Sequence, residues 1–220
     1  MEASAAFVVF GGAGMRAFVY VDGFNLYYRA LKGTPHKWLN LAALARRVLA
    51  PDDSVEQVRY FTARVSARSG DPDAPRRQQL YLNALSTVPN VRFHFGRFLP
   101  KTKRRPLVST GAFVEIRDTE EKGSDVNLAT HLLNDGWRKS YDVALVLSQD
   151  TDLIEPMRIV SQELGLKVGL IWLDGGSPNK NMVAASTFVR HINNADLAAS
   201  QFVNPIIAAG GKLIEKPVGW

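Results

Sequence analysis

Residues 17–25 read Ala-Phe-Val-Tyr-Val-Asp-Gly-Phe-Asn. Five apolar residues in unbroken series, Ala17–Val21, match a strand buried on both faces, as a parallel sheet demands. The run stops at Asp22-Gly23, and Asn25–Leu31 then reads as a short helix closed by Lys32-Gly33. A second apolar run, Asp142–Leu147, likewise leads into Ser148-Gln149-Asp150-Thr151-Asp152 and a helix over 152–164 that stops at Gly165. A third run spans Lys167–Leu173. Buried strands alternating with helices predict a largely parallel, three-layer α/β domain. In such a sheet ligands gather beyond the carboxyl ends of the strands, where the strand order reverses. Asp22 and Asp150 both fall at such ends.

The remaining pattern fills in around these runs. Asn40 is placed to cap a helix with Leu41, Leu44, Val48 and Leu49 on one face. A strand is expected within Val55–Val65, and a helix after Gly70-Asp71-Pro72-Asp73-Ala74-Pro75 that continues over Gln78–Leu85. From Val91 a strand alternates, with Val91, Phe93 and Phe95 on one face and Arg92, His94 and Gly96 on the other. Lys101–Pro106 (KTKRRP) reads as a basic turn. Ala112–Arg117 reads as a short strand returning beside it. Ser124 is expected to cap a helix that Gly136 ends. Asn179–Phe188 and Asn194–Ser200 read as short helices. Residues 1–14 read as a flexible extension, 15–204 as one domain, and 205–220 as a tail.

Composition narrows the chemistry. The 220 residues hold 27 Lys and Arg against 21 Asp and Glu, a formal net charge of +6, which favours a polyanionic partner without demanding one. There is no cysteine, so disulfides, thiolate zinc sites and cysteine nucleophiles are excluded. No apolar run reaches the roughly 18 residues of a membrane span, and no membrane partner is expected. A cytoplasmic location fits these features. The four histidines, His36, His94, His131 and His191, form no i,i+4 pair and flank no acidic motif, which argues against a zinc hydrolase.

What remains is a set of acids: Asp22, Asp125 at the start of a helix, and Asp150 and Asp152. Each has a plain structural role open to it, as turn residue or helix cap. Together they would repel one another unless a cation intervened. Oxygen donors without Cys or paired His suit a hard ion, Mg²⁺ or Mn²⁺. With a basic chain, that suggests metal-assisted chemistry on a phosphodiester. Asn25 and Ser148 can orient such a site, and Lys122 can contact phosphate. Lys101, Lys103, Arg104 and Arg105 can form an arm along a phosphate backbone or a solvated hairpin tip.

Three segments, VDGFNLYY (21–28), EEKGSDVNLATHLL (120–133) and VLSQDTDLIEPMRIV (146–160), resemble the NYN domain of the LabA-like group within the PIN-like nucleases. The likeness runs over roughly residues 16–196. It implies a Rossmann-like PIN-type fold and an Mg²⁺- or Mn²⁺-dependent ribonuclease. The family's acids fall on Asp22, Asp125, Asp150 and Asp152, its asparagine on Asn25, its lysine on Lys122 and its serine on Ser148. Gln149 departs from the glycine common in relatives. RNA is the implied partner, with a catalytically silent RNA-binding module as the alternative. Self-association stays open.

Overall fold

The structure, a computed structural model, describes residues 14–220; the extension expected over 1–14 therefore lies, but for Gly14, outside the described residues. A seven-stranded sheet forms the middle layer. Its strands are β1 (Arg16–Asp22), β2 (Ser54–Ala63), β3 (Val91–Pro106), β4 (Phe113–Lys122), β5 (Val143–Leu147), β6 (Lys167–Trp172) and β7 (Phe188–His191). They lie in the order β4-β3-β2-β1-β5-β6-β7, all neighbours parallel except the antiparallel pair β3–β4. The order runs one way from β1 to β3 and the other from β5 to β7. The reversal therefore sits between β1 and β5, whose carboxyl ends carry Asp22 and Asp150.

The pleat of β1 sorts the two cores. Ala17, Val19 and Val21 face α2 (Leu41–Val48), α3 (Ala74–Leu85) and α7 (Asn194–Ala199), while Tyr20 faces α4 (Ser124–Trp137), α5 (Ile154–Arg158) and α6 (Lys180–Ala184). Between β1 and α2, α1 (Gly23–Leu26) runs on as a π-helical turn over Tyr27–Leu31. Asn40 caps α2 by accepting from the backbone N–H groups of Ala42 and Ala43.

Several expectations need correction. Phe188–His191 is the edge strand β7, not the end of a helix, because its backbone pairs with Gly169–Trp172 of β6. The helix expected from Asn179 ends at Ala184. Gly123, at φ +98°, caps α4 where Ser124 was expected. Gly136 lies inside that helix; a Cβ there would stand 2.8 Å from the Tyr141 hydroxyl. Lys101–Pro106 is no turn. It continues β3 as a long arm paired with β4, and the connection is Leu107–Ala112. Residues 205–220 are anchored, through a small hairpin of β8 (Ile206–Ile207) and β9 (Leu213–Ile214) that buries Ile206 and Ile214. No helix among the described residues is long and apolar enough to cross a membrane.

Beneath α4 lies a buried polar cluster. The Asp135 carboxylate accepts two hydrogen bonds from Arg59, at 2.7 and 2.9 Å, and one from the Tyr20 hydroxyl at 2.7 Å. Pairing and hydrogen bonding together offset the cost of burying this charge. Arg59 also reaches His94 Nε2 at 3.2 Å. A guanidinium only donates, so that nitrogen accepts and the ring is neutral. Burial, the neighbouring His131 and Arg59 push His94 down to about 4. Its proton affinity in the fold thus lies below that of the unfolded chain, and stability supplied by the neutral ring is complete above about pH 6.5 and lost as pH falls toward 4. Raised carboxyls elsewhere act oppositely in the same range, so a variant isolates the histidine. Urea unfolding between pH 7 and 4 is expected to show a smaller loss of stability on acidification for His94→Gln than for the parent; equal losses would refute the assignment.

Candidate active site

Asp22 is the last residue of β1 and is 5% exposed. Its Oδ1 accepts from the Asn25 backbone N–H at 2.9 Å, capping α1, and its Oδ2 accepts from the Ser148 hydroxyl at 3.0 Å. Ser148 is fully buried, and its oxygen accepts in turn from the Asp150 backbone N–H at 3.1 Å. Asn25 Oδ1 accepts from the Gln149 backbone N–H at 3.1 Å. Two side-chain bridges therefore lock the carboxyl ends of β1 and β5 together. The turn that follows β5 is capped by Asp150, whose Oδ1 accepts from the Asp152 backbone N–H at 3.0 Å. The structural roles open to these residues are thus filled, and the carboxylates still converge.

Asp125 enters from the first turn of α4, half-buried. Burial raises its carboxyl to about 6, reinforced by the charges of Asp22, Asp150, Glu121 and Asp152. Burial also raises Asp22, against the lowering effect of its hydrogen bonds from Asn25 and Ser148. Glu121 was absent from the sequence-based set. It lines the same cavity and accepts from Ser124 through both the backbone N–H, at 3.3 Å, and the hydroxyl, at 2.6 Å. Its signal was available, since it is the second acid of Glu120-Glu121-Lys122, but which of the two faces inward depends on the register of β4.

Other expected residues lie elsewhere. Asp152 is exposed and outside the cavity wall. Lys122 is also outside it, and its ammonium pairs with Glu120 at 3.0 Å. Lys103 is held between Asp118 and Glu120. Lys101 lies 3.9 Å from Glu120, and Arg104 stacks over Phe113. With Arg105 they stand on the β3 arm, away from the acids. Opposite charges on β4 explain why a basic run sits in a strand here.

The cavity measures about 820 Å³. Asp22, Asp125, Asp150 and Glu121 stand in its wall, with Asn25 and Ser124 beside them. Much of the remaining wall is aromatic: Phe24, Tyr27, Tyr28, Tyr60, Tyr81, Phe98 and Trp220. Lys32, Lys37, Arg68 and Arg77 add positive charge. Burial keeps Tyr60 and Tyr81 protonated, so both act as phenols. Among the described residues no three His, Asp or Glu side chains form a ready-made metal cage. The donor set nevertheless suits Mg²⁺ or Mn²⁺, because Mg²⁺ in particular binds through one or two carboxylates and keeps several waters. A dinucleotide pyrophosphate does not fit the β1 turn: the α1 N-terminus is already capped by a carboxylate, and a Cβ at Gly23 would lie 2.7 Å from the Tyr60 ring.

No protein-family model matches the chain. Over 239 residues of alignment it is 30% identical to the 6-hydroxy-3-succinoylpyridine 3-monooxygenase HspA of Pseudomonas putida (strain DSM 28022 / S16), covering 94% of this chain and 75% of HspA. The chain belongs to the HspA family. That kinship overturns the nuclease reading. HspA is named as a monooxygenase, so ribonuclease, nuclease and hydrolase give way as descriptions of the activity, and so does a silent RNA-binding module as their alternative. A crystal structure of a protein of unknown function from Vibrio parahaemolyticus RIMD 2210633 superposes with a TM-score of 0.50 at 14% identity, covering 88% of this chain and 98% of that one. It supports the α/β architecture alone.

The raised Asp125 carboxyl can be tested by its effect on thermal stability. A carboxyl whose folded affinity for protons exceeds its unfolded one stabilises the fold below about pH 4 and ceases to do so as pH rises through about 6. Asp125→Asn in EDTA is expected to raise the melting temperature by a few degrees at pH 8 and by nothing measurable at pH 4. Unchanged melting at pH 8 would mean that the carboxylates do not repel one another as described.

Proposed function

We propose that this chain is a monooxygenase of the HspA type, acting on an aromatic heterocycle that carries an anionic side chain. Kinship to HspA across 94% of the chain carries the reading. The cavity supports it. Its aromatic wall suits a planar ring, its cations suit a carboxylate, and its acidic end suits a ring hydroxyl or a bound cation. The substrate named for HspA, a hydroxypyridine with a succinoyl arm, has this bipolar character.

Monooxygenation transfers one oxygen atom of O₂ to a ring carbon and releases the other as water. At C3, the position in HspA's name, the ring bond to the succinoyl carbonyl also breaks, and the arm leaves as a carboxylic acid by taking up that water, or as an aldehyde where two further electrons and two further protons are supplied. The balance requires two electrons and two protons, supplied by a reductant of the reduced-nicotinamide or reduced-flavin class. The residues' own contributions are binding, orientation and proton handling. Asp125, raised to about 6, can accept a proton from a ring hydroxyl near neutral pH. Ser148 and Asn25 fix the acids rather than touch substrate. One or two of the carboxylates Asp22, Asp125 and Asp150 would hold Mg²⁺ or Mn²⁺ together with waters, and the ion would supply charge compensation for an anionic oxygen. The reading includes an NYN-type, Rossmann-like variant of the three-layer fold, carried by the three segments around these acids.

The test is incubation of purified protein with 6-hydroxy-3-succinoylpyridine, reduced nicotinamide, flavin and Mn²⁺ under isotopically labelled O₂. One labelled oxygen in the product is expected, with turnover reduced at least about a hundredfold in Asp22→Asn. Product formed without label from O₂, or no turnover by the parent under any of these reductants, would refute the proposal.

A further inference from the structure

The segment after β9 does more than fasten the chain end. Lys216 is fixed through its backbone N–H to Asn204 Oδ1 at 2.8 Å, and the Trp220 N–H turns back to the Pro217 carbonyl at 3.3 Å. The turn delivers Val218, Gly219 and Trp220 to the cavity wall. The Trp220 ring packs against Trp38 and Tyr81, with centroids 6.4 and 5.9 Å apart. Tyr81 is itself held by a hydrogen bond to the Leu39 carbonyl at 2.9 Å, and its ring meets Tyr60 edge-on at 6.2 Å. An aromatic series Trp220–Tyr81–Tyr60 thus runs along the cavity toward Asp22.

The cations along this wall are not equivalent. Arg77 is bound to Asp71, and Lys32 lies over the Tyr28 ring. Lys37 has no carboxylate partner among the described residues, and its ammonium lies 3.4 Å from the Gly219 carbonyl. The acids at the other end repel an anion, so a bipolar ligand must place its anionic arm away from Asp125.

We infer that Trp220 and Lys37 form the subsite that selects the substrate's anionic arm, Trp220 as its apolar wall and Lys37 as the counter-charge. This rests on the functional reading above. The experiment is calorimetric titration with 6-hydroxy-3-succinoylpyridine and with its side-chain amide, for the parent, Trp220→Ala, Trp220→Phe and Lys37→Gln, with circular dichroism checking the fold. Trp220→Ala is expected to weaken both ligands about tenfold or more, and Trp220→Phe to restore most of the loss. Lys37→Gln is expected to weaken the carboxylate about tenfold and leave the amide unchanged. If the parent binds and the Lys37 and Trp220 variants bind both ligands equally well, the subsite is wrong while the functional reading stands. If the parent binds neither ligand, both fall together.

Discussion

The hydrogen bond from Ser148 to Asp22 is the constraint on which the site depends. It joins the ends of two neighbouring parallel strands that are 126 residues apart in the chain. The same hydroxyl oxygen receives the Asp150 N–H, so one fully buried side chain sets the position of two acids. Asn25 repeats the arrangement in reverse, reaching from the β1 side to the backbone beyond β5. Backbone pairing alone would leave these turns free to splay. The two bridges make the carboxylates a fixed group, and their mutual repulsion is then held in place rather than relaxed away.

The two faces of the sheet play different parts. On the α4 side, charge is matched internally: Arg59, Asp135 and Tyr20 satisfy one another, and little is left over for chemistry. Toward α3, β1 and β2 end in a cavity where charge is left unmatched, with acids at one end and Lys37 near the other. Unmatched charge in a partly buried cavity is costly without a ligand, and it marks where binding energy can be gained.

Much of this was legible in the chain. Asp22 and Asp150 stand out because each ends an apolar run, and an acid there must sit at a strand's carboxyl edge. The parallel core followed from Ala17–Val21, Asp142–Leu147 and Lys167–Leu173. The β7 strand was not legible, because Phe188–His191 is too short to show a period and its pairing with β6 is non-local. Lys101–Arg105 looked like a free basic tip because the acids that neutralise it, Asp118 and Glu120, come from the opposite strand. Trp220 was invisible as a wall residue, since its partners Trp38 and Tyr81 are far away in sequence. The chemistry was misjudged for a related reason. Acids at strand and helix ends specify a polar pocket, but the aromatic surroundings of that pocket come from segments with no shared motif.

Gly96 is where β3 passes from one partner to another: it is paired with Ala63 of β2, and Arg97 begins the pairing with β4. A Cβ on Gly96 would meet Glu121 Oε1 and the Lys122 carbonyl, so β4 crosses there with only a hydrogen to spare. The cavity residues Thr119 and Glu121 sit two apart on that crossing strand and share its inner face. Their inward direction is therefore a matter of parity. A one-residue slip along the arm would turn both outward and replace them with Glu120 and Lys122. The charge facing the cavity is thus counted out by the hydrogen-bond ladder of the hairpin.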